Sequence, residues 1–138
     1  MNCGALGRNM LIVDASCLYE VLRNGRYAQS VRSILSEHDE HAAPSVIDAE
    51  CMGLLRRDLL RGDISEDRAW TAHLDLRDWP GERFTLEPFN ERVWELRNNV
   101  RTWDAYYVAL AEVLDAPLLT LDRRLASARG PRCTFEIP

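Results

Sequence analysis

The chain has 138 residues, 46% of them apolar, and a formal net charge of −5. That length suits a single packed domain, and the apolar share argues against disorder. No segment approaches the ~20 apolar residues needed to cross a membrane, Cys3, Cys17, Cys51 and Cys133 form no C-x-x-C pair, and all 17 basic residues are arginine, which excludes a lysine-dependent P-loop.

Residues 1–9 (MNCGALGRN) are polar and read as a loose leader, with one domain expected over residues 10–138. Met10 is an alternative start to Met1. No long apolar run follows Met1, so no signal peptide is predicted. The expected compartment is the cytoplasm, with reduced thiols.

Met-Leu-Ile-Val (10–13) is a short apolar run ending in Asp14 and reads as a buried parallel strand. A short helix is predicted over 15–23, closed by the turn signal Asn24-Gly25. A second helix runs from Tyr27 to Ser36, and a short strand over 41–44 ends at Pro44. Ser45 opens a longer helix, with Asp48 three residues on in the manner of a capping box. Val46, Ala49, Gly53, Leu54 and Leu60 are expected on its inner side, and Gly62 stops it.

Ser65 starts the next helix, to about Leu76, and Trp79-Pro80-Gly81 is a turn. A strand is predicted over 84–87, closed by Pro88, and a helix over 89–98. Another helix runs from Thr102 through Ala116, where Pro117 bars its continuation. Leu118-Leu-Thr-Leu (118–121) is an apolar strand ending in Asp122, followed by a short helix over 123–128 and a final strand over 133–137. Strands alternating with helices predict an α/β sandwich with a mainly parallel central sheet.

Two apolar strands thus end in an aspartate, and ligands of open α/β sheets bind beyond the carboxyl ends of the strands. Singly, Asp14 and Asp122 could be ordinary helix caps. Asp104 could be a first-turn acid complementing the helix dipole, and Glu50 a surface residue. Asp48 competes with Glu50, but its capping position favours a structural role. Together, Asp14, Glu50, Asp104 and Asp122 fall at strand ends and helix starts that can meet on one edge. Clustered carboxylates raise one another's pKa and persist most naturally around a cation. Oxygen-only donors suit Mg²⁺ or Mn²⁺, and such a site suits hydrolysis of a phosphodiester. The net charge decides little about a polyanionic partner, because four of the 22 acidic residues are assigned to metal.

Several segments resemble the PIN-domain family. Met-Leu-Ile-Val-Asp-Ala-Ser (10–16) resembles the opening strand and D-x-S/T motif. Ala-Pro-Ser-Val-Ile-Asp-Ala-Glu (43–50) is similar to the segment carrying the family's helical glutamate, matched by Glu50. Asp-Ala-Tyr-Tyr-Val-Ala-Leu-Ala-Glu (104–112) resembles the third acidic motif, and Leu-Leu-Thr-Leu-Asp-Arg-Arg-Leu (118–125) the T-x-D motif. The resemblance implies a PIN-like three-layer sandwich and a Mg²⁺- or Mn²⁺-dependent endoribonuclease. The short VapC toxins of prokaryotic toxin–antitoxin pairs look closest. That branch implies an RNA substrate, a homodimer and a small cognate VapB-like antitoxin.

Ser16 and Thr120 match polar positions beside the acidic residues, where they could orient a carboxylate or a water, or only cap a helix and fill a strand. Arg23, Arg26, Arg56, Arg57, Arg61, Arg123 and Arg124 could grip phosphate through the guanidinium fork. Most are expected on solvated helix faces, and Arg123 and Arg124 lie nearest the acidic set in sequence. The four tryptophans are expected in core or interface packing, with base stacking as the alternative. His38, His41 and His73 receive no catalytic assignment. One rival reading is a phosphoaspartate phosphatase or receiver domain, which normally uses a lysine that this chain lacks. The other is a catalytically silent PIN-like binding module.

Overall fold

The computed structural model describes residues 9–138. In chain order the elements are β1 (Met10–Val13), α1 (Ala15–Leu22), α2 (Ala28–Ser36), β2 (Glu40–Pro44), α3 (Val46–Leu60), α4 (Glu66–Asp78) and β3 (Glu82–Phe84). A 3₁₀ turn (Glu87–Phe89) leads to α5 (Asn90–Glu95), α6 (Thr102–Leu114), β4 (Leu118–Leu119), α7 (Arg123–Ala126) and β5 (Phe135–Glu136). The strands form one sheet of order β3-β2-β1-β4-β5, parallel at every pairing. The predicted α/β class with a parallel sheet is the one observed.

The central strand is the most apolar one. Leu11, Ile12 and Val13 of β1 are fully buried, as an uninterrupted apolar run in a sheet covered on both faces must be. On one side α1 packs against α2, α3 and α4; on the other, α6 packs against α5 and against β1, β2 and β4. Ala105, Ala109 and Ala111 are small enough to let α6 sink onto the sheet, and none is exposed. From β1 the chain builds outward through β2 to β3, then returns to place β4 on the other side of β1. The strand order therefore reverses between β1 and β4, and a ligand crevice is expected at their carboxyl ends.

Several local expectations need correction. The strand expected over 84–87 lies at Glu82–Phe84 instead. Pro88, with its fixed φ and missing N–H, suits the first turn of a helix, and it draws 87–89 into the 3₁₀ turn. The helix expected over 89–98 is regular only over Asn90–Glu95. The helix after Thr102 ends at Leu114, because Asp115 turns left-handed at φ 49. The last two strands pair over only two residues each.

The expected inner side of α3 is also revised. Val46 is buried and Leu54 partly so, but Ala49, Gly53 and Leu60 are exposed. The buried line runs through Ile47, Cys51, Leu55 and Asp58. Hydropathy places Asp58 outside, yet it is held inside by the Tyr19 hydroxyl at 2.6 Å and Arg57 Nε at 3.0 Å. The capping box does not form. Ser45 already has helical backbone angles and its side chain makes no cap bond, while Asp48 accepts two bonds from Arg83, each 3.1 Å. Gly62 does end α3, with φ 75 just beyond the last turn. Ser65 does cap α4, accepting from the Arg68 amide. The assignments of residues 1–8, including the choice between Met1 and Met10, lie outside the described residues.

Candidate metal centre

Asp14 sits where β1 ends and α1 begins, 6% exposed. Its side chain does not close a cap on α1, although the Ala15 and Ser16 N–H groups help to stabilise its charge. Instead its Oδ2 accepts from Ser16 Oγ at 3.0 Å and Thr120 Oγ1 at 2.7 Å. Both hydroxyls are aimed by backbone amides. Thr120 Oγ1 accepts from the Asp122 N–H at 3.0 Å, and Ser16 Oγ accepts from the Leu121 N–H at 3.3 Å. Each hydroxyl therefore has its proton directed at Asp14. The segment 120–122 after β4 is thus tied across the topological switch to the end of β1, with Ser16 and Thr120 both donating to the Asp14 carboxylate. Neither hydroxyl engages Oδ1.

Glu50, on α3, is half-buried, and its Oε1 accepts from the Tyr107 hydroxyl at 2.9 Å. Burial pushes its pKa up to about 7, the charges of Asp14 and Asp104 add to the rise, and the Tyr107 bond opposes it. Asp104, in the first turn of α6, is raised to about 6 by burial and then by Asp14 and Asp122, with Arg101 opposing. Burial also raises Asp14, against the Thr120 and Ser16 hydrogen bonds and the neighbouring backbone N–H groups. Asp122 does cap its helix: its Oδ1 accepts from the amides of Arg124 at 2.9 Å and Leu125 at 3.2 Å.

The structure therefore brings the predicted residues to one edge, within electrostatic reach of one another. Among the described residues, no three His, Cys, Asp or Glu side chains converge tightly enough to enclose an ion by themselves. The donor set still fits a hard divalent ion. It is all oxygen and partly buried, and the hydroxyls on Asp14, the hydroxyl on Glu50 and the amides on Asp122 each fall on one oxygen of the carboxylate. Mg²⁺ keeps several waters and needs few protein ligands.

Asp48 is not part of this edge. Its partner Arg83 also donates to the carbonyls of Leu76, Trp79 and Gly81, so the pair fastens α3 to the end of α4 and to β3. Arg124 lines a cavity of roughly 160 Å³ with Asp104, Asp122, Asn99 and Arg101; Arg123 is exposed nearby but does not line it. Arg23 and Arg57 are held by Glu20 and Asp58, which leaves them a structural role. Trp70, Trp94 and Trp103 are 54–67% exposed, so core packing is wrong for these three.

Two site residues were missed in the sequence. Tyr107 is fully buried yet polar at its tip, and it follows Asp104 by three residues on one helix face. A tyrosine inside an apolar helical run must find a hydrogen-bond partner, and that was the available signal. Arg101 precedes Asp104 by three residues, and a basic residue beside an acidic motif gave only a weak hint.

This edge, at the switch point of a parallel sheet, defines a PIN-type fold, and the PIN domain family matches residues 11–131. The chain belongs to that family. Within it, the chain is 41% identical over 128 residues to Ribonuclease VapC1 of Mycobacterium tuberculosis, covering 91% of this chain and 96% of VapC1. That places it in the VapC branch. The fold is shared with VapC20 of M. tuberculosis, described as a sarcin-ricin loop cleaving toxin, at TM-score 0.66 and 15% identity over 85% of this chain and 93% of that one. It is shared also with the structure of VapBC2 from Rickettsia felis bound to promoter DNA, at TM-score 0.64 and 14% identity over 94% and 98%.

Proposed function

We propose that this chain is an endoribonuclease that hydrolyses RNA phosphodiesters with Mg²⁺ or Mn²⁺, and that it is the toxin of a type II toxin–antitoxin pair. The observation that carries the reading is the set of Asp14, Glu50, Asp104 and Asp122 at the reversal of strand order, with Asp14 buried and held as an acceptor by two directed hydroxyls. A bound divalent ion supplies activation of a water and stabilisation of the leaving oxygen. Asp14, Glu50, Asp104 and Asp122 are the residues that hold it. Ser16 and Thr120 fix the Asp14 carboxylate in one orientation, which spares the site reorganisation during reaction. Arg124 and Arg101, which line the same cavity, and Arg123, next to Arg124 in the chain, grip the phosphates flanking the scissile one.

The reading includes a cognate VapB-like antitoxin and a homodimer in the cytoplasm. An exposed apolar cleft between α3 and α4, lined by Met52, Leu55, Leu59, Leu60 and Trp70, is a surface that a protein partner can cover. His73, which also lines it, has a buried Nδ1 without a hydrogen-bond partner among the described residues. The test is cleavage of an end-labelled RNA by the purified chain. Cleavage that needs Mg²⁺ or Mn²⁺, stops with EDTA and stops again on adding the product of an adjacent antitoxin gene is expected. Cleavage in EDTA, or none by folded protein with either metal across a pool of cellular RNAs, overturns the reading.

A further inference from the structure

We propose that Tyr107 is a positioning residue that holds Glu50 by one carboxylate oxygen and so presents the other to the divalent ion. The inference rests on the metal site proposed above. Tyr107 is fully buried on α6, one turn beyond Asp104, and its hydroxyl reaches across to Glu50 Oε1 on α3 at 2.9 Å. A phenol has one proton, so it can engage only one oxygen of the carboxylate. Oε2 is left for the ion. Asp14 follows the same rule by other means, with Ser16 and Thr120 both on Oδ2.

Glu50 needs such a restraint more than Asp14 does. Its side chain is longer, with more rotamer freedom to lose when an ion is bound. It also lies within reach of the like charges of Asp14 and Asp104, which disfavour its ionised form. The phenol holds it from the interior by the 2.9 Å hydrogen bond. It is anchored by α6, whose Ala105, Val108, Ala109 and Leu110 are fully buried around it. The same helix carries Asp104, so Tyr107 couples the placement of two ligands to one rigid element.

The test is Tyr107→Phe, which deletes only the hydroxyl. Mn²⁺ affinity of the RNA-free protein is measured by calorimetry, and folding by urea unfolding in EDTA. Affinity is expected to fall about 10–100-fold, the usual consequence of removing a group that orients a ligand. In RNA cleavage, the Mn²⁺ concentration for half-maximal rate should rise by the same factor, with kcat at saturating Mn²⁺ near that of the unsubstituted protein. A merely structural tyrosine would not produce that split. Glu50→Asp draws the carboxylate back from the phenol, so adding Tyr107→Phe to it should leave Mn²⁺ affinity unchanged. Equal Mn²⁺ affinity in folded Tyr107→Phe and unsubstituted protein overturns the proposal alone. An equal loss from Tyr107→Phe in both backgrounds also overturns it. Failure of the unsubstituted protein to bind Mn²⁺ at all overturns the metal reading beneath it.

Discussion

Glu50→Gln should make the metal-free protein more stable at pH 8 and leave it little changed at pH 5. In the folded protein Glu50 titrates at about 7, against an ordinary value of 4.5. A carboxylate whose folded pKa is raised is penalised when ionised. The penalty is small at or below pH 4.5, grows as pH rises through the window from 4.5 to 7, and is complete above it. At about 1.4 kcal/mol per pKa unit the unscreened cost at pH 8 is about 3 kcal/mol, which solvent screening of the half-buried carboxylate reduces to about 1–2 kcal/mol, and at pH 5 the screened cost is below about 0.5 kcal/mol. Glutamine carries no charge, and its carbonyl oxygen can still accept the Tyr107 hydroxyl. The variant should therefore gain about 1–2 kcal/mol at pH 8, or a Tm higher by roughly 3–5 °C per kcal/mol. Urea unfolding in EDTA at both pH values reads this directly. Saturating Mn²⁺ should reverse the order, because only the carboxylate gains a cation. A variant less stable than the parent at pH 8, or a gap of equal size at both pH values, would rule out an ionised Glu50 as the source of the cost.

Asp14→Asn should fold, bind Mn²⁺ more weakly by calorimetry and lose roughly a hundredfold or more in cleavage rate, equivalent to about 3 kcal/mol of transition-state stabilisation. Asp48→Ala should leave cleavage intact and cost about 1 kcal/mol by urea unfolding, through loss of the partly exposed Arg83 pair rather than of a helix cap. Arg101→Ala combined with Arg124→Ala should raise KM for RNA more than it lowers kcat. The slope of log affinity against log salt should shrink by about 0.7 for each phosphate that the variant no longer grips; an unchanged slope removes both residues from the RNA path. Expression of the chain alone should arrest growth, relieved by co-expression of its antitoxin; harmless expression of folded, active enzyme counts against the toxin role.

The sequence made the sheet and its acidic edge legible because both rest on strong local signals. An apolar run ending in aspartate, as at Val13-Asp14, announces a buried strand and the residue beyond its carboxyl end. What it hid depends on contacts between distant segments. Asp58 is polar yet buried, because Tyr19, 39 residues away, supplies its hydrogen bond. That pairing turned the inner face of α3 away from Ala49, Gly53 and Leu60. Ser45 and Asp48 have the spacing of a capping box, but Arg83, 35 residues on, competes for the carboxylate and wins. The Tyr107–Glu50 bond spans 57 residues, and a tyrosine in an apolar helical run tells that a partner is needed but not which one. Taken singly, Asp14 has the position of a helix cap, and its carboxylate is held instead by Ser16 and Thr120.

The four carboxylates are proposed to act as one metal-dependent site on RNA. The most direct test is cleavage of one labelled RNA across a Mn²⁺ titration, by the unsubstituted chain and by Asp14→Asn, Glu50→Gln, Asp104→Asn and Asp122→Asn, each shown to be folded. Expected are no cleavage without metal, saturable cleavage by the unsubstituted chain, and a loss of a hundredfold or more with every substitution at limiting Mn²⁺. Cleavage that persists in EDTA, or full activity in any one of the four folded variants at limiting Mn²⁺, would show that the four do not form such a site.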